Sequence, residues 1–455
     1  VFLSLFKAKQ EQKTGGIMEI KFDPLRRFIK IKSLSSICML MAAIAALVVS
    51  NTNLYSYYEQ LLELEFSIGF SGFHLSKSVL HWINDGLMTI FFFVIGLEIK
   101  REFMIGELSS ARKAILPILA AIGGMIFPIA IFFLLNSGNE STHGWGITMA
   151  TDIAFSLGIL GILGKKVPFG LTIFLAAFAI IDDLGAVMVI AGFYSSLISW
   201  HLVVIAFVLL IALSLLSLKN LYSSYIHIPV GIVIWLLFLE SGIHPTIAGV
   251  LFAFTIPSHR KKRLAYVIGK GKNALNELSQ LIGKKEVEFK NHKTAINILD
   301  NITSEIQSPL QHLQNKLSTL VFFFIIPLFA FANSGINLMG NEGAFTPLTT
   351  SIAVSLVCGK IIGISLFSWL AIKLKIAVLP QDVDFRQIFG LSCLGGFGFT
   401  MSIFICNLSY VSVHLQHSAK LGILIASLIA AVGGYLVIRY SLKKSTETND
   451  FSALM

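Results

Sequence analysis

Charge is scarce in this chain. Of its 455 residues, 13% are Asp, Glu, Lys or Arg, about half the usual share of a soluble domain. A water-soluble globule of this length needs far more polar surface, so soluble enzymes and binding modules are excluded. Cysteine is scarce as well. The four, Cys38, Cys358, Cys393 and Cys406, lie in apolar stretches without a CxxC pair. That argues against a disulfide framework or a zinc site and leaves small apolar packing residues. There is no GxxxxGK[ST] string to cradle a nucleotide phosphate, and no low-complexity tract.

Apolar residues make up 55% of the chain, and they come in runs. Crossing the hydrocarbon core of a bilayer takes about 20 of them in a helix. Runs of roughly that size lie near 33–51, 84–99, 114–136, 145–164, 169–193, 199–218, 226–240, 243–257, 318–335, 347–372, 387–410 and 419–440. The expectation is an all-α polytopic membrane protein with twelve spans. The seventh and eighth runs are short, and one kinked hairpin split at Ser241-Gly242 is the other way to read them.

The net charge of +10 is the wrong kind for a nucleic-acid binder, because Lys and Arg sit between the apolar runs. With the N-terminus inside and the runs alternating, inside segments hold 32 of the 35 Lys and Arg residues. Lys77 and Lys420 fall outside, and Lys360 falls within a span. Such asymmetry marks the cytoplasmic side and places both termini there. Residues 1–32 read as a cytoplasmic N-terminal tail, 33–440 as the transmembrane domain and 441–455 as a cytoplasmic C-terminal tail. The chain opens on Val1, and Met18 reads as an alternative start. A basic cytoplasmic insertion covers 258–317 and opens with Arg260-Lys-Lys-Arg263, a string suited to anionic lipid headgroups. For the outside loop 52–83, lying at the interface and contacting another subunit both stay open.

The informative residues are ionisable groups inside apolar runs: Asp85, Asp152, Asp182, Asp183 and Lys360, with Glu98 near a run end. Each charge at mid-bilayer costs about 2.5–3.5 kcal/mol on insertion scales. A purely structural bundle has no reason to carry several, so they pair, take up protons or face water. Asp182 and Asp183 are adjacent on one helix and point about 100° apart. One can face a cavity while the other meets a neighbouring helix. A buried carboxylate of this kind accepts either a proton or a hard cation, which is the chemistry of ion–proton exchange. Thr151-Asp152 ahead of an apolar run reads as a helix N-cap in mid-span, so a broken helix is expected there. Gly395, Gly396 and Gly398 weaken the span at 387–410 in its middle. Two interrupted spans in different halves of a chain point to a transporter binding site. Lys360 needs a carboxylate, with Asp182 or Asp183 the obvious partner, or else it offsets negative helix ends at a break. Glu98, Arg101 and Glu102 cluster at a cytoplasmic edge. His244 lies by an outer edge, where a histidine serves either as a titrating group or as a hydrogen-bonded structural one. Two carboxylates in a bilayer would also suit an intramembrane aspartyl protease, but a shared-proton dyad wants them on different helices. A channel would not require the lysine–carboxylate pair.

Seven strings in order make the chain resemble the NhaA-type bacterial sodium/proton antiporter family. They are Asn84-Asp-Gly-Leu-Met with Gly-Leu-Glu-Ile-Lys-Arg-Glu102; Ala150-Thr-Asp-Ile-Ala-Phe; Ile181-Asp-Asp-Leu-Gly; Ser241-Gly-Ile-His; Pro327-Leu-Phe-Ala-Phe-Ala-Asn333; Gly359-Lys; and Gly398-Phe-Thr-Met-Ser-Ile-Phe404. The resemblance implies twelve helices in inverted-topology repeats, with two discontinuous helices crossing near the bilayer midplane, the architecture for which this family is a standing example. It implies a secondary transporter, not an enzyme, that needs no cofactor. The transporter would export cytoplasmic Na+ or Li+ in exchange for external protons, electrogenic and pH-regulated, in sodium and pH homeostasis. The expected location is the bacterial inner membrane, and a homodimer is expected. Cation and proton binding falls to Asp183, Asp182 and Thr151. Charge compensation at the helix breaks falls to Asp152 and Lys360. The ion path or pH response falls to Asp85, Glu98, Arg101, Glu102 and His244. The chain departs from the pattern in its longer cytoplasmic loop, and in Leu313-Gln314-Asn315 where the family has Leu-Glu-His, which bears on the pH profile.

Overall fold

The computed structural model describes residues 24–70, 73–136, 140–195, 198–219, 221–258, 307–337, 345–380 and 382–452. Most of the N-terminal tail and of the insertion at 258–317 therefore lies outside the described residues. Among the described residues the elements are helical apart from one hairpin. In order come α1 (Pro24–Ser50) and α2 (Tyr55–Glu63), then β1 (Glu65–Phe70) paired antiparallel with β2 (Phe73–Ser78), with Glu65 opposite Ser78. The next helices are α3 (Val79–Met104) and α4 (Ala111–Leu135). A 3-10 segment (Glu140–Met149) leads into α5 (Ile153–Leu163). Then follow α6 (Phe169–Phe193), α7 (Trp200–Leu218), α8 (Ser224–Ser241) and α9 (Thr246–Thr255). The chain continues with α10 (Pro309–Asn333) and α11 (Pro347–Lys373), and ends with α12 (Phe385–Gly395), α13 (Phe399–Ser409) and α14 (Val413–Ser452).

Among the described residues nine helices are long and apolar enough to cross a membrane, or eleven if each of two bent pairs is one span. The bent pairs are the 3-10 segment with α5, at 40°, and Leu34–Ser50 with α2, at 115°. The ten-residue α9 is a shorter apolar helix. It is separated from α8 at the expected place, because Gly242 takes up the left-handed conformation (φ 84°) that closes a helix end. Lys420, near the start of the run 419–440, lies within α14 and is 8% exposed. The helix starts at Val413, ahead of the apolar run, and takes in the more polar stretch before the lysine.

Packing divides most helices into two groups. In one, α4 packs on α6 and α11, α11 on α12 and α14, α12 on α14, and α13 on the 3-10 segment. In the other, α3 packs on α9 and α10, and α8 on α7 and α9. Helix α1 touches both groups, through α5 and through α10. Small residues allow the closest approach. A Cβ on Gly363 would collide with the backbone of Gly123, and one on Gly359 would come within 2.5 Å of Pro128 Cα. Close backbone contact of this sort drives helix association in lipid, where the hydrophobic effect offers little. It also presses the segment carrying Lys360 into the interior. A π turn, Ser355–Gly359, comes immediately before that lysine, and such turns are frequent at functional sites.

Candidate functional site

The two interrupted helices meet at their breaks. Between the 3-10 segment and α5 the chain is non-helical at 150–152, and between α12 and α13 it is interrupted at 396–398. Hydrogen bonds tie the two breaks together. Asp152 N–H donates to Phe397 O at 2.7 Å, Thr151 Oγ1 to Gly395 O at 2.9 Å, and Ser402 Oγ to Ile147 O at 2.8 Å. The rings of Phe155 and Phe397 stack with centroids 3.7 Å apart. Gly398 is required here, since a Cβ would lie 2.9 Å from Ala150 O. Irregular backbone at membrane depth survives only where protein partners of this kind replace water.

Asp152 serves both positive helix ends. As N-cap of α5 it accepts from Phe155 N–H on Oδ1 at 3.2 Å. Its Oδ2 accepts from Thr400 N–H at 3.3 Å and Thr400 Oγ1 at 2.6 Å, in the first turn of α13. One carboxylate thus faces two macrodipole N-termini. Asp152→Ala removes the acceptor from both. Each lost cap costs about 1 kcal/mol, so the expected loss is about 2 kcal/mol or more, read as a lowered melting temperature in detergent. Asp152→Asn should lose less, because its amide oxygen still accepts.

Lys360 does two jobs together. Its Nζ donates to both oxygens of Asp182, at 3.0 and 2.9 Å, and to Met149 O, the last carbonyl of the 3-10 segment. The two alternatives left open by the sequence, a carboxylate partner and a negative helix end, are both realised. Lys360 is fully buried and Asp182 is 1% exposed. Asp183, also enclosed, is within electrostatic reach of Lys360, and Thr151 adjoins Asp182. The five residues Thr151, Asp152, Asp182, Asp183 and Lys360 come from distant parts of the chain and share one buried site.

The other five expected residues lie apart from it. Asp85, in a π turn near the start of α3, has its Oδ1 3.5 Å from His244 Nε2, and His244 Nδ1 bonds Thr246 Oγ1 at 2.7 Å. At the far end of α3, about 24 Å away by helical rise, Arg101 pairs with Glu102 at 2.7 Å and reaches Gln314 Oε1 at 3.4 Å. Gln314, expected from the resemblance to stand in the place of an acid, faces this cluster. Glu98, three residues before Arg101 on the same helix, is buried.

Two features carry no sequence signal. Lys100 Nζ donates to Phe254 O at 2.7 Å and Ile256 O at 2.5 Å, capping the C-terminus of α9; nothing in the string Lys100-Arg101 points to a partner so far along the chain. Asn84, Asn333 and Asn407 form a cluster of side-chain amides. Asn84 and Asn333 stand in two of the strings that carry the resemblance, but nothing in those strings joins them to each other or to Asn407.

The Na+/H+ antiporter 1 family model matches residues 26–438. The chain is 41% identical over 436 residues to Na(+)/H(+) antiporter NhaA 1 of Saccharophagus degradans, covering 94% of each chain. It is 41% identical to Na(+)/H(+) antiporter NhaA of Bacteroides fragilis, with 92% of this chain and 98% of the relative covered. It is 42% identical to the NhaA antiporter of Oleidesulfovibrio alaskensis, over 92% and 94%.

Proposed function

The chain belongs to the Na+/H+ antiporter 1 family, and from that membership we propose that it exports cytoplasmic Na+ or Li+ against entering protons at the Asp182–Asp183 site. It is a multi-pass membrane transporter of the sodium/proton antiport class. In our reading the transmembrane domain runs from 33 to 440 and has twelve spans, α9 being the shortest, arranged as inverted repeats. Both tails and the insertion at 258–317 are cytoplasmic, the membrane is the bacterial inner membrane, and the transporter works as a homodimer.

The observation that carries the reading is Lys360, locked at once to Asp182 and to a broken helix end. Asp182 and Asp183 bring two negative charges, and Lys360 brings one positive. The charge left over is met by cargo, a proton or an alkali cation. Na+ is a hard ion and takes oxygen ligands; Asp183, Asp182 and the Thr151 hydroxyl are the groups that would hold it. A site that takes one or the other but never both couples the two flows. If more protons enter than cations leave, the exchange is electrogenic and the membrane potential drives export. Because Asp182 is engaged by a lysine on another helix and adjacent to Asp183 on its own, the pair lacks the facing geometry of a proteolytic dyad.

The test is everted vesicles with a pH-sensitive dye. Addition of Na+ or Li+ should discharge a preset proton gradient, and a folded protein giving no response between pH 6 and 9 would sink the proposal. Competition also sets the sign of the pH dependence. Acidification fills the carboxylates with protons, so the apparent half-saturation for Na+ should rise as pH falls, by about tenfold per unit for each proton displaced. A half-saturation constant indifferent to pH across the acidic limb would mean that proton and cation do not share the site. Electrogenicity is read separately, from the effect of an imposed membrane potential on the exchange rate.

A further inference from the structure

One face of α13 links the site to the amide cluster. Thr400, Phe404 and Asn407 are four and three residues apart, so they share one stripe. Thr400 is tied to Asp152. One turn further on, the buried Phe404 ring packs against three elements of the other helix group: Phe92 of α3 (centroids 5.4 Å), His244 ahead of α9 (5.3 Å) and Phe329 of α10 (6.2 Å). A turn beyond that, Asn407 Nδ2 donates to Asn333 Oδ1 at 2.6 Å. Asn333 and Asn84 exchange reciprocal amide hydrogen bonds, at 2.9 and 3.2 Å. Asn333 also donates to Phe329 O at 3.0 Å.

The two layers therefore sit about 6 and 10 Å from Thr400 along the helix, toward the extracytoplasmic side in the proposed topology. Both join the broken span to α3 and α10, across the boundary between the two helix groups. We infer that Phe404 and the Asn84–Asn333–Asn407 clasp are the outer gate of the transporter, shut in this structure. The inference rests on the antiport function and topology proposed above. It adds the residues that keep the carboxylate site from the outside while it loads from within.

The chemistry of the clasp suits a gate better than a permanent seal. A permanent seal needs only apolar packing. The amides give directional closure, yet no charge is stranded when they part. Side-chain hydrogen bonds between membrane helices average only about 0.6 kcal/mol, so the clasp can open in every cycle. Contrast the Lys360–Asp182 pair, whose separation would leave two buried ions.

The experiment locks the gate. Asn333→Cys and Asn407→Cys are combined in a chain whose native Cys38, Cys358, Cys393 and Cys406 are replaced by serine, and everted vesicles are treated with a short bis-methanethiosulfonate. The untreated double variant should show measurable Na+-driven proton release. Cross-linking should lower that release at least tenfold, reductant should restore it, and each single variant should be insensitive to the same treatment. Complete cross-linking with unchanged exchange overturns the gate. So does failure to cross-link in a protein that exchanges Na+ for protons. A native chain with no Na+ response would instead sink the transport reading beneath it. Asn407→Ala, in the otherwise native chain, gives a second measure that survives a folding failure of the cysteine-free protein. Removing one such bond should raise the half-saturation for Na+ at the inner face by up to about threefold, the equivalent of ~0.6 kcal/mol, with the melting temperature nearly unchanged. A folded Asn407→Ala protein with native half-saturation counts against the clasp.

Discussion

Asp183→Asn is expected to reduce Na+- and Li+-driven proton release to the background of vesicles lacking the protein, at every pH from 6 to 9. The replacement keeps the size and most of the hydrogen-bonding ability of the side chain. It removes the ability to take up and release a proton, and it removes the charge that a hard cation requires. Asparagine is neutral whether or not Na+ is present, so the exchange of one bound species for the other has no carboxylate on which to occur. The side chain is 3% exposed, and a neutral isostere removes a buried charge rather than adding one, so the variant should still insert and melt near the native temperature. That combination separates a lost site from a lost fold. Isothermal titration of purified protein with Li+ at alkaline pH should show heat for the native chain and none for Asp183→Asn. Exchange at the native rate in the variant would remove Asp183 from the cation site.

Lys360→Met should have the largest effect on stability. The ammonium is fully buried, and three of its contacts depend on it: both oxygens of Asp182 and the Met149 carbonyl. Methionine roughly matches its length and leaves all three without their donor. Breaking a buried ion pair by removing one partner costs about 3–5 kcal/mol, and the stranded carbonyl adds to it. The expected outcome is a large fall in melting temperature together with loss of transport. Adding Asp182→Asn to Lys360→Met should recover much of the stability, because the uncompensated charge is gone. The double-mutant cycle would then show strong coupling between the positions. Equal melting temperatures for the single and double variants would mean that the ion pair is not what holds the break.

Part of this site is legible in the sequence. Asp152 reads as an N-cap because Thr151-Asp152 precedes an apolar run, and it is one. Gly395, Gly396 and Gly398 mark a weak point, and the helix is interrupted there. Both signals are local, since a cap and a glycine act on the residues next to them. Lys360 is marked by its charge in an apolar run, but its sequence context names no partner. Asp182 and Asp183 are equally good candidates by charge, and only the tertiary structure chooses Asp182.

By itself the sequence determined the class of molecule, the rough position of its membrane helices and the identity of the costly buried charges. All of these follow from one physical fact, the penalty for placing polar groups in hydrocarbon, which composition records residue by residue. The tertiary structure alone decided that one carboxylate caps two helices, that one lysine closes both a carboxylate and a carbonyl end, and that three asparagines from distant segments meet. Such contacts join residues far apart along the chain. They are set by how closely the backbones approach, which no stretch of sequence encodes alone.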